Sequence, residues 1–134
     1  MGLSLGANLA ILATASRWAD AAVSISANAD KLGSLSGNRP GAARATLFLA
    51  AEDDPDRARS ARELLAAAAE PKKALVYPGA AHNLSLFSAH PESAKAALSW
   101  LADRLRGETM SARETTMSAV PPPPTPTPGP TPAR

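Results

Sequence analysis

Three segments of this 134-residue chain are apolar at almost every position yet too short to be buried helices: Ala21 to Ala27, Ala45 to Ala51 (A-T-L-F-L-A-A) and Lys73 to Tyr77 (K-A-L-V-Y). Near-continuous apolarity over strand length marks strands covered on both faces, the pattern of a parallel sheet between helical layers. Helical stretches separate them. Leu5 to about Arg17 is apolar on nearly every side, as in a helix held between layers. Asp56 to Glu70 sets Ala61, Leu64, Leu65 and Ala68 on one face and arginines on the other, and Pro71 ends it. Pro91 to Arg106 begins with a proline suited to the first helical position and carries Ala94, Ala97, Leu98, Leu101 and Leu105 on one face, with Gly107 expected to cap it. Asn28 to Ala42, with its glycines and asparagines, reads as loop with at most one turn of helix. This order predicts an α/β fold of about three parallel strands with flanking helices, joined by right-handed crossovers.

The apolar periodicity stops at Glu108. Pro121 to Pro132 (P-P-P-P-T-P-T-P-G-P-T-P) favours an extended, solvated chain, so residues 108–134 are expected to be a disordered Pro/Thr-rich tail beside a folded domain of residues 1–107.

Composition narrows the function classes. Residues of the hydrophobic class make up 45% of the chain but aromatics only 4%, so the core must be built mainly from Ala, Leu, Val and Ile. The formal net charge is +2, and acidic and basic residues alternate (Asp54, Asp56, Arg57, Arg59, Arg62, Glu63), which describes a solvated helix surface and not a nucleic-acid patch. Without cysteine there is no disulfide, thiolate metal ligand or cysteine nucleophile. His82 and His90 are the only imidazoles, and neither a metal nor a cofactor is expected. Leu3 to Leu12 followed by Ala13-Thr14-Ala15 has the outline of a secretory signal core, but no Lys or Arg precedes it and glycines interrupt its start. The run also falls short of the roughly 20 apolar residues that span a bilayer. A soluble, cytoplasmic chain is the expectation. Trp18, Trp100 and Tyr77 read as packing residues, and His90, just before Pro91, as structural.

Topology then brings three distant residues together. Functional groups of a parallel sheet gather at the carboxyl ends of its strands. Asp53 and Asp54 follow the second apolar segment directly, and His82 follows the third after Pro78-Gly79. Ser4 precedes the first helix, whose amino terminus lies on the same edge because crossover helices run antiparallel to the strands. A serine hydroxyl becomes a nucleophile when an imidazole takes its proton, and an acid fixes the imidazole tautomer. Ser4, His82 and Asp54 fit those roles, with Asp53 as the substitute acid. Each has a plainer reading: Ser4 and Asp54 as helix N-caps, His82 as a loop residue bonded to backbone.

The motifs G-L-S-L-G-A before a helix, T-L-F-L-A-A-E-D-D-P after a strand and V-Y-P-G-A-A-H-N before the last helix resemble the C-terminal half of an α/β-hydrolase. The likeness is nearest to dienelactone-hydrolase and small esterase types and covers about Gly2 to Arg106. It implies that Gly2-Leu3-Ser4-Leu5-Gly6 is a nucleophile elbow, that Ser4, Asp54 and His82 form a catalytic triad, and that the Leu5 backbone N–H is an oxyanion-hole donor. The implied substrates are small esters or related acyl compounds. Two departures accompany it. The family usually has Gly after the catalytic histidine, where this chain has Asn83. The family's earlier strands, including the one entering the elbow and the loop giving the second oxyanion donor, are expected to be missing, so the chain reads as truncated and weakly active or inactive. Ala21 to Ala27 would then present an unpaired apolar edge and promote self-association. The alternative function is a noncatalytic interaction scaffold with the Pro-rich tail as a ligand.

Overall fold

The computed structural model describes residues 1–37 and 43–117. Nine elements follow one another: β1 (Gly2–Leu3), α1 (Leu5–Ala15), β2 (Ala22–Ile25), α2 (Ala29–Ser36), β3 (Thr46–Ala51), α3 (Pro55–Ala67), β4 (Lys72–Tyr77), α4 (Ser85–Ala89) and α5 (Pro91–Met117). The four strands form one parallel sheet in the order β1-β2-β3-β4. Sequence order and spatial order therefore coincide.

Alternation along β3 divides the core. Phe48 and Ala50 point to a layer built by Ala7 and Ile11 of α1, Leu32 of α2, and Ala61 and Leu64 of α3. Leu47, Leu49 and Ala51 point the other way, with Val23 and Ile25 of β2, toward Leu86 of α4 and Ala97 and Trp100 of α5. Side chains in a strand alternate between faces, so one six-residue strand serves both layers. Each fully buried Leu, Ile or Phe contributes about 1.5–3 kcal/mol relative to exposure. Trp100 adds a polar anchor, its indole N–H donating to Ala45 O at 3.1 Å.

Four features differ from the expectations. A strand does enter the elbow: Gly2 and Leu3 pair with Ser24 and Ile25, and the Ser4 N–H extends the ladder to Ile25 O at 3.0 Å. β2 is consequently an interior strand, buried along its whole length, and the premise of an exposed apolar edge there is withdrawn. Second, α2 is a helix of eight residues. Its polar residues are punctuation: the Asn28 side chain caps Lys31 N at 2.8 Å, Gly37 closes the helix at φ 60°, and Leu32 is fully buried between them. Third, α5 passes through Gly107 to Met117. Gly107 has no left-handed backbone, and one helical glycine among good helix formers costs only about 1 kcal/mol. The remainder of the expected Pro/Thr-rich tail, residues 118–134, lies outside the described residues. Fourth, Trp18 is 88% exposed and packs into neither layer.

Candidate active site

The carboxyl ends of the strands form one rim, and the chain delivers to it the residues the topology argument selected. Ser4 turns the chain from β1 into α1 with φ 50° and ψ −112°. A non-glycine residue pays for positive φ in strain, which here reverses the backbone within a single residue. The turn closes only because residue 2 is glycine: a Cβ there would lie 1.9 Å from Gly6 O. The second glycine of the motif is under no such demand, since a Cβ on Gly6 would meet nothing within 4 Å. Although Ser4 occupies the N-cap position of α1, its side chain makes no capping bond. Leu5 is the first residue of that helix, where geometry leaves the backbone N–H without an intrahelical acceptor.

Asp54 behaves likewise. It occupies the N-cap position of α3 without a side-chain capping bond. Its carboxylate instead accepts from His82 Nδ1–H at 2.7 Å, with the Asp54 side chain 22% and the His82 side chain 40% exposed. Because a carboxylate can only accept, Nδ1 carries the proton, and in the neutral imidazole Nε2 is then the nitrogen with the lone pair. Asp53 contributes through its backbone: its N–H donates to Gly79 O at 3.0 Å, and the neighbouring Glu52 N–H donates to Tyr77 O at 2.8 Å. Those bonds lash the end of β3 to the end of β4 and bring Asp54 within reach of the following loop.

His82 is held at its backbone by a serine that sequence reasoning missed. The His82 N–H donates to Ser85 Oγ at 2.8 Å, and the Ser85 hydroxyl donates to His82 O at 2.7 Å. A serine three residues after the histidine and opening a short helix was the available signal. The next residue, Asn83, has φ 55°, and its N–H donates to Ser26 Oγ at 3.1 Å. Asparagine tolerates this left-handed backbone better than other side chains, so a position where the resembled family has glycine accepts it.

The structure thus brings Asp54 and His82 into contact and puts Ser4 on the same rim, but the Ser4 hydroxyl makes no hydrogen bond to His82. His90 is structural: Nε2–H donates to Pro78 O at 2.7 Å, Nδ1 meets Glu92 Oε1 at 3.2 Å, and the ring stacks on Tyr77 at 5.1 Å. Burial, and after it the Glu92 carboxylate, push the Tyr77 phenol above its ordinary value. A cavity of about 300 Å³ lies at the opposite edge, among Asp20, Arg44, Glu70, Asp103 and Arg104 at the amino ends of the strands. Among the described residues no three His, Asp or Glu side chains stand together as metal ligands, and no helix is long and apolar enough to cross a membrane.

Compared with protein-family models, with curated proteins and with solved structures, the chain finds no match.

Proposed function

We propose that the chain is a serine hydrolase of the α/β-hydrolase type, acting on small esters or related acyl compounds. The observation that carries the reading is a pair of N-cap residues that do not cap: the Ser4 hydroxyl is left unused on a strained strand-to-helix corner, and the Asp54 carboxylate is committed to His82. Backbone strain at a residue whose side chain serves no local bond motivates a functional hypothesis. In the proposed reaction Ser4 Oγ attacks the substrate carbonyl while His82 Nε2 takes its proton. Asp54 holds the tautomer and stabilises the imidazolium. The Leu5 N–H faces the developing oxyanion, and His82 returns the proton to the leaving group. Water repeats the sequence to free the acid. With Leu5 as the one donor assigned, turnover is expected to be weak, since each oxyanion donor is worth about 10²–10³ in rate.

A fluorophosphonate tests this directly, because its phosphorus forms a bond to an activated serine oxygen and loses fluoride. Labelling of Ser4 in the intact chain is expected, with loss in Ser4→Ala and His82→Ala and a rate lowered about 10³–10⁴-fold in Asp54→Asn, where the tautomer is wrong. An unlabelled wild-type chain, or label retained in Ser4→Ala, overturns the proposal.

A noncatalytic scaffold is the second reading. It is favoured by leucines more than half exposed on two helices, Leu5 and Leu9 on α1 and Leu98 and Leu105 on α5. An unreactive Ser4 would favour it.

A further inference from the structure

Two consecutive residues at the end of β2 hold the two halves of the candidate site. Ile25 O accepts the Ser4 N–H at 3.0 Å, which fixes the corner carrying the hydroxyl. Ser26 Oγ accepts the Asn83 N–H at 3.1 Å, which fixes the residue next to His82. The reference point between them is rigid. Ser26 is 1% exposed and its own N–H donates to Leu49 O of β3 at 2.9 Å. Two residues on, the Asn28 N–H donates to Asn8 Oδ1, a side chain one helical turn beyond Ser4. Asp54 fixes the rotation of the imidazole, but a single carboxylate contact leaves the distance from ring to hydroxyl open. The Ser26 bond spans that gap. It comes with strain, because Ser26 has φ 54° at a position where glycine would be relaxed.

From this we infer that Ser26 is a positioning residue: its hydroxyl tethers the His82 loop to the end of β2 and so sets the separation between the imidazole and Ser4. The inference deepens the hydrolase reading and rests on it for its kinetic consequence, whereas the tether itself is a physical contact that can be read without any reaction.

Ser26→Gly separates positioning from simple structural support, because it removes the hydroxyl while suiting the left-handed backbone. The full-length chain is compared with wild type by thermal unfolding, by fluorophosphonate kinetics at Ser4 and by amide hydrogen exchange. The unfolding midpoint is expected to hold or rise. The maximal labelling rate should fall about 10²-fold, the usual penalty of an ångström-scale misplacement, with the reagent's half-saturating concentration unchanged. The Asn83 amide should exchange about tenfold faster or more as its acceptor is lost. Ser26→Cys, whose sulfur is a weak acceptor, should fall between the two. An unchanged Asn83 amide overturns the tether. A labelling rate within about twofold of wild type, or one that falls only alongside stability, overturns the positioning role. A wild-type chain that never labels overturns the hydrolase reading instead, and exchange of the Asn83 amide still decides the tether.

Discussion

An alanine at position 2 would place its Cβ 1.9 Å from Gly6 O, 2.3 Å from Gly6 C and 2.7 Å from Ala7 N. All three are backbone atoms of the first turn of α1, so no rotamer change relieves the clash. Ordinary contact begins near 3.4 Å, so the helix start must retreat from β1 by about 1.5 Å. Overpacking that a core can partly absorb costs about 1–3 kcal/mol, and a backbone clash belongs at the upper end. The alternative escape is for Met1 to Leu3 to leave β2, which forfeits the Ser4 N–H bond to Ile25 O and the Gly2 and Leu3 pairings. At about 1 kcal/mol net per hydrogen bond, this route costs a similar 2–3 kcal/mol. Both routes predict a loss of about 3 kcal/mol, hence a midpoint lowered by about 12 °C or more for a domain of this size. Gly6→Ala is the matched control. Its Cβ meets nothing and it sits in a helix, so it should be neutral or gain up to about 1 kcal/mol. Urea unfolding followed by circular dichroism measures both, and amide exchange at Ser4 separates the two routes. Gly2→Ala within about 1 kcal/mol of wild type, or Gly6→Ala as costly as Gly2→Ala, would refute the steric reading of the elbow.

Two further outcomes follow from single residues. Asn83→Gly removes both a strained φ of 55° and a side-chain Oδ1 buried without a partner, so it should stabilise the chain by about 0.5–1 kcal/mol, whereas Asn83→Ala should lose about 1 kcal/mol, both read by urea unfolding. For Tyr77 the raised phenol value means the folded chain keeps its proton where the unfolded chain has begun to lose it. The associated stability is complete below about pH 10 and is lost as pH climbs through the folded value. Tyr77→Phe should therefore gain on wild type in urea midpoint between pH 8 and pH values above about 10, and a constant gap across that range would contradict the assignment.

Elements announced by their own residues were legible in the sequence. β3 is apolar from Leu47 to Ala51 and β4 from Ala74 to Tyr77, each stopped by turn residues, and α3 has a one-sided apolar face between two prolines. What was missed depended on partners. β1 has two residues and no periodicity, and exists because the strained Ser4 corner aims its N–H at Ile25 O. α2 hides its purpose in one buried leucine, since its glycines and asparagine advertise a loop. The rim itself was readable because strand ends and helix starts follow from connectivity alone. Ser26 was not readable, because a serine just past a strand has no visible role until a backbone amide 57 residues away needs an acceptor.

The distribution of strain separates the rim from the rest of the molecule. Five non-glycine residues among those described have positive φ: Ser4, Arg17, Ser26, Ala45 and Asn83. Arg17 follows the end of α1, and Ala45 has a structural occupation, its carbonyl accepting from both Ala22 N and the Trp100 indole. The other three meet at one edge, linked through Ser4 to Ile25 and Ser26 to Asn83. At about 1–3 kcal/mol each, they remove a substantial part of the 5–15 kcal/mol that ordinarily separates folded from unfolded chains. Glycine would lower that cost, and the chain uses glycine at φ 60° and φ 85° elsewhere, at Gly37 and Gly79. Ser4 and Ser26 instead keep hydroxyls in strained positions, one engaged by the His82 loop and the other left free of its helix. A fold selected for stability alone has no use for the second hydroxyl, whereas a nucleophile must be free of its helix to react.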